Sequence, residues 1–108
     1  MSEFRFMRII VFFDLPVVSK EEKRAYVRFR KFLIEDGYDM IQFSVYARLV
    51  NGEDAVDKHY LRMQKNLPPE GSIRFLQVTE RQYSAMKLLL GKKTVKEKKV
   101  GAQLTLMF

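Results

Sequence analysis

Asp14 is the residue whose type and position most favour chemistry. It is the only carboxylate between Glu3 and Glu21, and it directly follows the apolar run Ile9–Phe13. A carboxylate at the end of a buried strand is held rigidly, and Mg²⁺ or Mn²⁺ binds such groups together with waters and phosphate oxygens. The alternative interpretation is a turn-forming aspartate before Leu15-Pro16. Because one aspartate cannot form a metal site alone, the metal interpretation requires a two-fold axis that brings a second Asp14 nearby.

A second candidate site is a basic face on the helix predicted after Ser19. Helical spacing places its cations opposite an apolar face that includes Phe29 and Leu33. Such a face can contact the phosphate backbone of a nucleic acid, whereas a merely solvated surface is the plainer interpretation. The residues of this basic face are Lys20, Lys23, Arg24, Arg28 and Lys31.

Missing residue types exclude several other kinds of site. The chain has no cysteine and a single histidine, His59, so thiolate and multi-histidine zinc sites are excluded. Any bound metal must therefore have oxygen ligands. His59 lies between Lys58 and Arg62 on a predicted helix and is interpreted as a surface residue. A glycine-rich phosphate loop is absent as well.

Length and charge restrict the class of protein. The chain has 108 residues, enough for one domain with a single core, and self-association would enlarge that core. Lys and Arg number 20 against 13 Asp and Glu, so the net charge is +7 and polyanionic partners are favoured over an anionic membrane surface. The apolar run Ile9–Phe13 is too short to span a membrane or to form a signal-peptide core. We therefore expect a soluble, cytoplasmic protein.

The elements that position these residues follow from periodicity. Phe6–Asp14 is predicted to be a buried central strand, and a helix capped by Ser19 is predicted to run until Gly37. Asp39–Val50 alternates as a strand does but exceeds the usual length of about 5 to 6 residues. A bulge, a sharp bend or a tight hairpin is therefore expected near residues 42–44, and alternation alone does not choose between them.

The second half of the chain repeats the pattern. A helix is predicted from Val56 until Pro68, then a strand at Ile73–Val78, then a helix at Glu80–Leu90. Two helices between strands of an antiparallel sheet predict an α+β, ferredoxin-like β-α-β-β-α-β domain over residues 1–91. Residues 92–108 are predicted to be a lysine-rich linker and an apolar strand, Gln103–Phe108, that pairs with another subunit.

Four stretches of the chain, taken in order, resemble one known family. They are Met7–Pro16, Tyr26–Leu33, Ile41–Tyr46 and Thr79–Gln82. Together they are similar to the Cas-two family of CRISPR-associated proteins, and in particular to the subgroup from systems with a single-protein RNA-guided effector.

The resemblance implies a homodimer at the centre of a spacer-acquisition complex. In such a complex the dimer bridges subunits of the Cas-one integrase and holds a double-stranded DNA prespacer, with RNA as another possible ligand. The metal-binding aspartate of the family corresponds to Asp14, which implies a Mg²⁺-dependent endonuclease. Many relatives have a polar or acidic residue just after that aspartate, where this chain has Leu15-Pro16. A toxin-like, stand-alone metal-dependent ribonuclease is the alternative function.

Overall fold

The central strand predicted from the sequence is also the central strand of the sheet. A computed structural model describes residues 5–99. The sheet is antiparallel with the strand order β2-β3-β1-β4, and the chain follows a β-α-β-β-α-β-α order. This order confirms the predicted ferredoxin-like α+β fold. The elements are β1 (Phe6–Asp14), α1 (Lys20–Glu35), β2 (Asp39–Gln42), β3 (Val45–Asn51), α2 (Glu53–Gln64), β4 (Ser72–Thr79) and α3 (Glu80–Ser84).

The main core lies between the sheet and the two long helices. Alternate residues of β1, such as Ile9 and Val11, pack there against Phe29 of α1 and Met63 of α2. The opposite face of the sheet carries a smaller cluster centred on Ile10, which α3 covers in part. Both faces of β1 are therefore buried along most of its length, which explains why the run is almost entirely apolar.

The predicted ends of α1 are confirmed. The Ser19 hydroxyl accepts a hydrogen bond from the Glu22 amide at 3.1 Å, and Glu22 accepts one from the Ser19 amide at 2.8 Å. This reciprocal capping box satisfies amides that a helix start leaves unpaired. The helix ends before Gly37, whose φ of +89° favours glycine.

The long alternating stretch is a tight hairpin, one of the three geometries expected there. Phe43 and Ser44 form the turn between β2 and β3, and Ser44 has a φ of +62°. The amide of Phe13 donates a hydrogen bond to the Ser44 carbonyl at 3.0 Å. This contact fixes the tip of the hairpin beside the end of β1.

The helix predicted at Glu80–Leu90 is wrong in length, because α3 ends at Ser84. Thr79 and Gln82 form a capping box at its start, but Leu89 and Leu90 are 93% and 92% exposed. Without a surface to pack against, a short helix gains too little to offset its nucleation cost.

The chain beyond α3 makes one more helical turn, at 95–99, and returns to the sheet edge. Lys96 pairs with Asp39 of β2 at 3.3 Å. The predicted strand Gln103–Phe108 lies outside the described residues. None of the helices within 5–99 is long and apolar enough to cross a membrane.

Candidate functional site

Asp14 lies at the end of β1, as predicted, on the face of the sheet that points away from α1 and α2. The side chain is exposed, and its cross-strand partner is Ser72 on β4. Side chains alternate along a strand, so Asp14 shares its face with Phe12 and Ile10, whereas Phe13 points into the main core. The carboxylate is therefore accessible at a corner of the open sheet face.

The main chain of Asp14 is held by a close approach of the loop before β4. Gly71 has a φ of +108°, and a Cβ atom there would lie 2.7 Å from the Asp14 carbonyl oxygen and 2.6 Å from Leu15. Only glycine fits this position without displacement of its neighbours. Leu15 is buried, so the chain that follows Asp14 is anchored on both sides.

The Asp14 carboxylate is suited to supply one oxygen ligand to a hard cation such as Mg²⁺. Among the described residues, 5–99, no group of three or more His, Cys, Asp or Glu side chains could hold a metal ion. Mg²⁺ accepts one or two carboxylates and takes its remaining ligands from water and phosphate. A single chain thus supplies one carboxylate ligand. This ligand fits Mg²⁺ when a second copy of the chain or a nucleic-acid phosphate supplies further oxygen atoms.

The basic face of α1 is solvent-exposed. Four of its five predicted cations surround a shallow groove with Val27 between them, whereas Lys20 is exposed in the first turn. Lys31 lies 3.8 Å from Glu35, but both side chains are largely exposed, and such pairs contribute little. The four cations of the groove are Lys23, Arg24, Arg28 and Lys31.

Asp14 and the basic face lie on opposite sides of the sheet. α1 packs against the sheet through Phe29 and Leu33 and presents its cations away from it. Asp14 points from the other sheet face. The structure therefore does not bring the two predicted sites together, and one protomer cannot use this basic face to hold a phosphate at its own Asp14.

Residues that sequence reasoning did not single out surround Asp14. An open groove of about 270 Å³ is lined by Phe12, Asp14, Phe43, Ser72 and Arg74, among others. Arg74 is the cross-strand partner of Phe12, which places it on the same face. The signal in the sequence was the alternation of β4. Ile73 and Phe75 point into the main core, whereas Arg74 and Leu76 point to the opposite face of the sheet.

His59 is not a surface residue, so that interpretation was wrong. It is 3% exposed, and its Nδ1 lies 3.0 Å from Asp36 Oδ2 and 3.1 Å from the Tyr38 hydroxyl. Burial lowers the pKa of His59, and Arg48 and Arg62 lower it further, while Asp36 opposes them. None of these residues lines the groove at Asp14, so His59 serves the packing of α2 and not that site.

A buried ion pair, Arg8 with Glu80, lies on the same sheet face as Asp14, at the end that α3 covers. Arg8 donates two hydrogen bonds to Glu80, each 2.8 Å long, and its guanidinium lies 4.2 Å from the centre of the Tyr83 ring. The Tyr83 hydroxyl donates to Glu97. Burial raises the pKa of Glu97, but hydrogen bonds from Tyr83 and Thr94 outweigh it, and the pKa is lower than usual. This network holds the chain beyond α3 against the sheet.

Fold and site together define a class: a small ferredoxin-like α+β protein with an acidic side chain at the end of its central strand and a basic outer helix. The family described as "CRISPR associated protein Cas2" matches residues 7–86. The chain belongs to the Cas2 family.

Curated relatives support the same assignment. The chain is 60% identical over 102 residues to a protein of Acidovorax ebreus (strain TPSY), a match that covers 94% of this chain and 100% of that protein. It is 42% identical over 101 residues to a Ligilactobacillus salivarius (strain UCC118) protein, with 94% and 99% covered. A Flavobacterium psychrophilum relative is 38% identical over 106 residues, with 98% and 92% covered. Each is called "CRISPR-associated endoribonuclease Cas2".

Proposed function

We propose that this protein is the nucleic-acid-binding subunit of a CRISPR adaptation complex and also carries a Mg²⁺-dependent endonuclease site at Asp14. The observation that supports this combination is the separation of the two surfaces by the sheet. A duplex bound along α1 would leave Asp14 free. The protein can then hold a prespacer duplex between Cas-one integrase subunits in the cytoplasm without cleaving it.

Duplex binding is assigned to the basic face of α1 and to the lysines after Gly91. Exposed cations that make no strong ion pair can neutralise backbone phosphates, and this interaction does not depend on sequence. The exposed state of Lys23, Arg24 and Arg28 supports the assignment.

Nuclease activity is assigned to Asp14 in a homodimer. When bound, Mg²⁺, or Mn²⁺ in its place, would stabilise negative charge on a phosphate and lower the pKa of a bound water. Asp14 would supply a carboxylate oxygen as ligand, and a two-fold axis near the open sheet face would supply the same atom from a second copy. Arg74, on the same face, would neutralise a neighbouring phosphate.

Asp14→Ala tests this assignment, with Asp54→Ala on α2 as a control that removes the same charge from an exposed position. We expect Asp14→Ala to abolish Mg²⁺-dependent cleavage while the dimer, duplex affinity and co-purification with the Cas-one integrase stay unchanged. Full cleavage by Asp14→Ala would show that the catalytic assignment is wrong. Loss of the dimer would show that Asp14 has a structural role.

A stand-alone, toxin-like ribonuclease is the second candidate function. The observation that favours it is the name of the relatives, which are called endoribonucleases. This candidate predicts Mg²⁺-dependent RNA cleavage by the isolated protein and no co-purification with an integrase. The two functions are therefore separated by one pull-down and one cleavage assay on the same preparation.

A further inference from the structure

A groove beside the start of α1 combines apolar walls with an acidic rim. Its volume is about 180 Å³, and it lies between the first two turns of α1 and the loop before β4. Leu15 and Tyr26 are among its wall residues, and its charged residues are Glu21, Glu22 and Glu70. In the part of the chain that the structure describes, no lysine or arginine lines it, although the whole chain has a net charge of +7. The groove is therefore an acidic site on a basic protein.

The rim of the groove suits a cationic ligand. Glu22 Oε1 accepts hydrogen bonds from the Ser19 amide at 2.8 Å and the Val18 amide at 3.0 Å, and the Ser19 bond is the main cause of its lowered pKa. Glu21 and Glu70 are exposed, and neither has an ion-pair partner within residues 5–99. Because like charges repel across an interface, the groove disfavours phosphate groups and favours lysine or arginine.

The groove is formed before any partner binds. Pro68 and Pro69 restrict the backbone of one wall. Gly71 packs against another wall residue, Leu15, since a Cβ atom at Gly71 would lie 2.6 Å from that side chain. The capping box holds the start of α1. A preformed site loses little conformational entropy on binding, so more of the interaction energy contributes to affinity.

Two exposed valines adjoin the groove. Val17 and Val18 are 48% and 87% exposed, and they connect Pro16 to Ser19, both of which line it. The Val18 amide is hydrogen-bonded, so this turn is held in place. Burial of apolar side chains is favourable, and protein interfaces combine an apolar centre with a polar rim. The valines and the apolar walls together suit a segment of a protein and not a small cation.

α1 separates the groove from the basic face. Tyr26 precedes Phe29 and Leu33 at helical spacing, so the groove lies on the side of α1 that faces the sheet. Val27 and the four cations around it lie on the opposite side. A duplex on the basic face leaves the groove free. The duplex also occupies the cations that a second copy of the chain could offer to the groove, so the occupant that remains is a different protein.

We propose that this groove is a protein-docking site that takes a lysine or arginine side chain from an extended segment of the integrase subunit. The aliphatic stem of that side chain packs between the apolar walls, and its charged head reaches the rim carboxylates. The two exposed valines lie under the same segment. This inference rests on the proposed adaptation role, which supplies the partner. It gives the two sides of α1 separate ligands, nucleic acid on the basic face and protein in the groove.

The test measures the Kd between the full chain and the purified Cas-one integrase by biolayer interferometry, without nucleic acid. Glu21→Gln/Glu70→Gln removes two rim charges and keeps the shape of the groove, and it should raise the Kd roughly 3- to 30-fold. Ala25→Leu fills the groove without a change of charge and should weaken binding at least as much. Asp54→Asn/Asp57→Asn removes the same charge from exposed positions on α2 and should match the wild type.

The affinity for duplex DNA and the sedimentation of the same variants complete the test. Loss of integrase affinity with unchanged duplex affinity supports the proposal and shows that the variants are folded. If Ala25→Leu does not fold, the glutamine variant decides. Unchanged integrase affinity in the groove variants would overturn this inference and leave the proposed function intact. Loss of duplex affinity alone, or dissociation of a dimer, would overturn it by assigning the groove to nucleic acid or to a second copy. A wild type that does not bind the integrase would overturn the adaptation role as well.

Discussion

At the scale of single residues, Gly71 is a close neighbour that constrains the main chain of Asp14. A Cβ atom there would collide with the Asp14 carbonyl and Leu15. We expect Gly71→Ala to lower the free energy of unfolding by about 1–3 kcal/mol, because the φ of +108° is also unfavourable for alanine. Displacement of Asp14 by about 1 Å should reduce Mg²⁺-dependent cleavage about 100-fold. Chemical denaturation and a cleavage assay measure the two effects.

Gly52→Ala is the matched control. Gly52 has a similar φ of +92°, but a Cβ atom there meets nothing within 4 Å. The control should therefore lose stability and keep its cleavage rate. Equal loss of cleavage in both variants would mean that stability, and not the position of Asp14, limits activity.

His59 gives the protein a pH dependence of stability. Burial is the largest cause of its lowered pKa, so the folded protein resists the proton that the unfolded chain accepts near pH 6.5. The unfolded state then binds more protons, and the free energy of unfolding falls as the pH drops below about 6.5, by up to ~1.4 kcal/mol per pH unit. Urea denaturation from pH 7.5 to pH 5 should show this decline.

His59→Gln should remove most of that slope. The titrating carboxyl groups with lowered pKa values, Glu22 and Glu97, contribute only at lower pH, nearer the ordinary range of carboxylates. A variant with the same slope as the wild type would show that another group is responsible.

At the scale of elements, the basic face of α1 predicts how the affinity for duplex DNA depends on salt concentration. If its exposed cations contact phosphates, the affinity for duplex DNA falls with salt, and log K loses about 0.9 per log unit for each phosphate neutralised. The double variant Arg28→Ala/Lys31→Ala should flatten that slope by about 0.9 for each phosphate that it no longer neutralises. Lys58→Ala/Lys65→Ala removes the same charge from α2 and from the residue that follows it, and is the control. Equal slopes in the two double variants would contradict the assignment to α1.

The strands and long helices could be predicted from the sequence because local signals specify them. Phe6–Asp14 is an almost uninterrupted apolar run, and Ser19 with Glu22 forms a recognisable cap. The length of α3 could not be predicted, since the spacing of apolar residues in 86–90 does not reveal that no surface is there to receive them. The burial of His59 could not be predicted either, because its partners Asp36 and Tyr38 are distant from it in sequence.

At the scale of the whole molecule, both outer strands of the sheet, β2 and β4, have an unpaired edge within residues 5–99. We predict a homodimer in which Gln103–Phe108 pairs with the partner's sheet. Deletion of the chain from Val100 onward should weaken or abolish the dimer in sedimentation experiments. Leu104→Asp/Leu106→Asp in the full chain should have the same effect, and Gln103→Ser/Thr105→Ser should not. A truncated protein that sediments as a dimer of unchanged affinity would refute the idea.

The position of the candidate site was predictable only in part. The sequence identified Asp14 at a strand end and a basic face on α1, because each depends on local spacing. Their placement on opposite sides of the sheet depends on which face of β1 the helices cover. The presence of Phe43 and Arg74 in the groove at Asp14 depends on strand register. The register pairs Phe12 with Arg74 and places the hairpin tip beside Phe13.

The central position of β1 also has a consequence for synthesis on the ribosome. β1 is translated near the start, but β4, one of its two neighbours, begins only at Ser72. At about 5–20 residues per second, roughly 3 to 12 s pass between the two strands. During this interval Ile9, Ile10 and Val11, all buried in the finished fold, lack one of their pairing partners. The emerging chain is therefore most prone to aggregation, and most dependent on chaperones, before β4 is made.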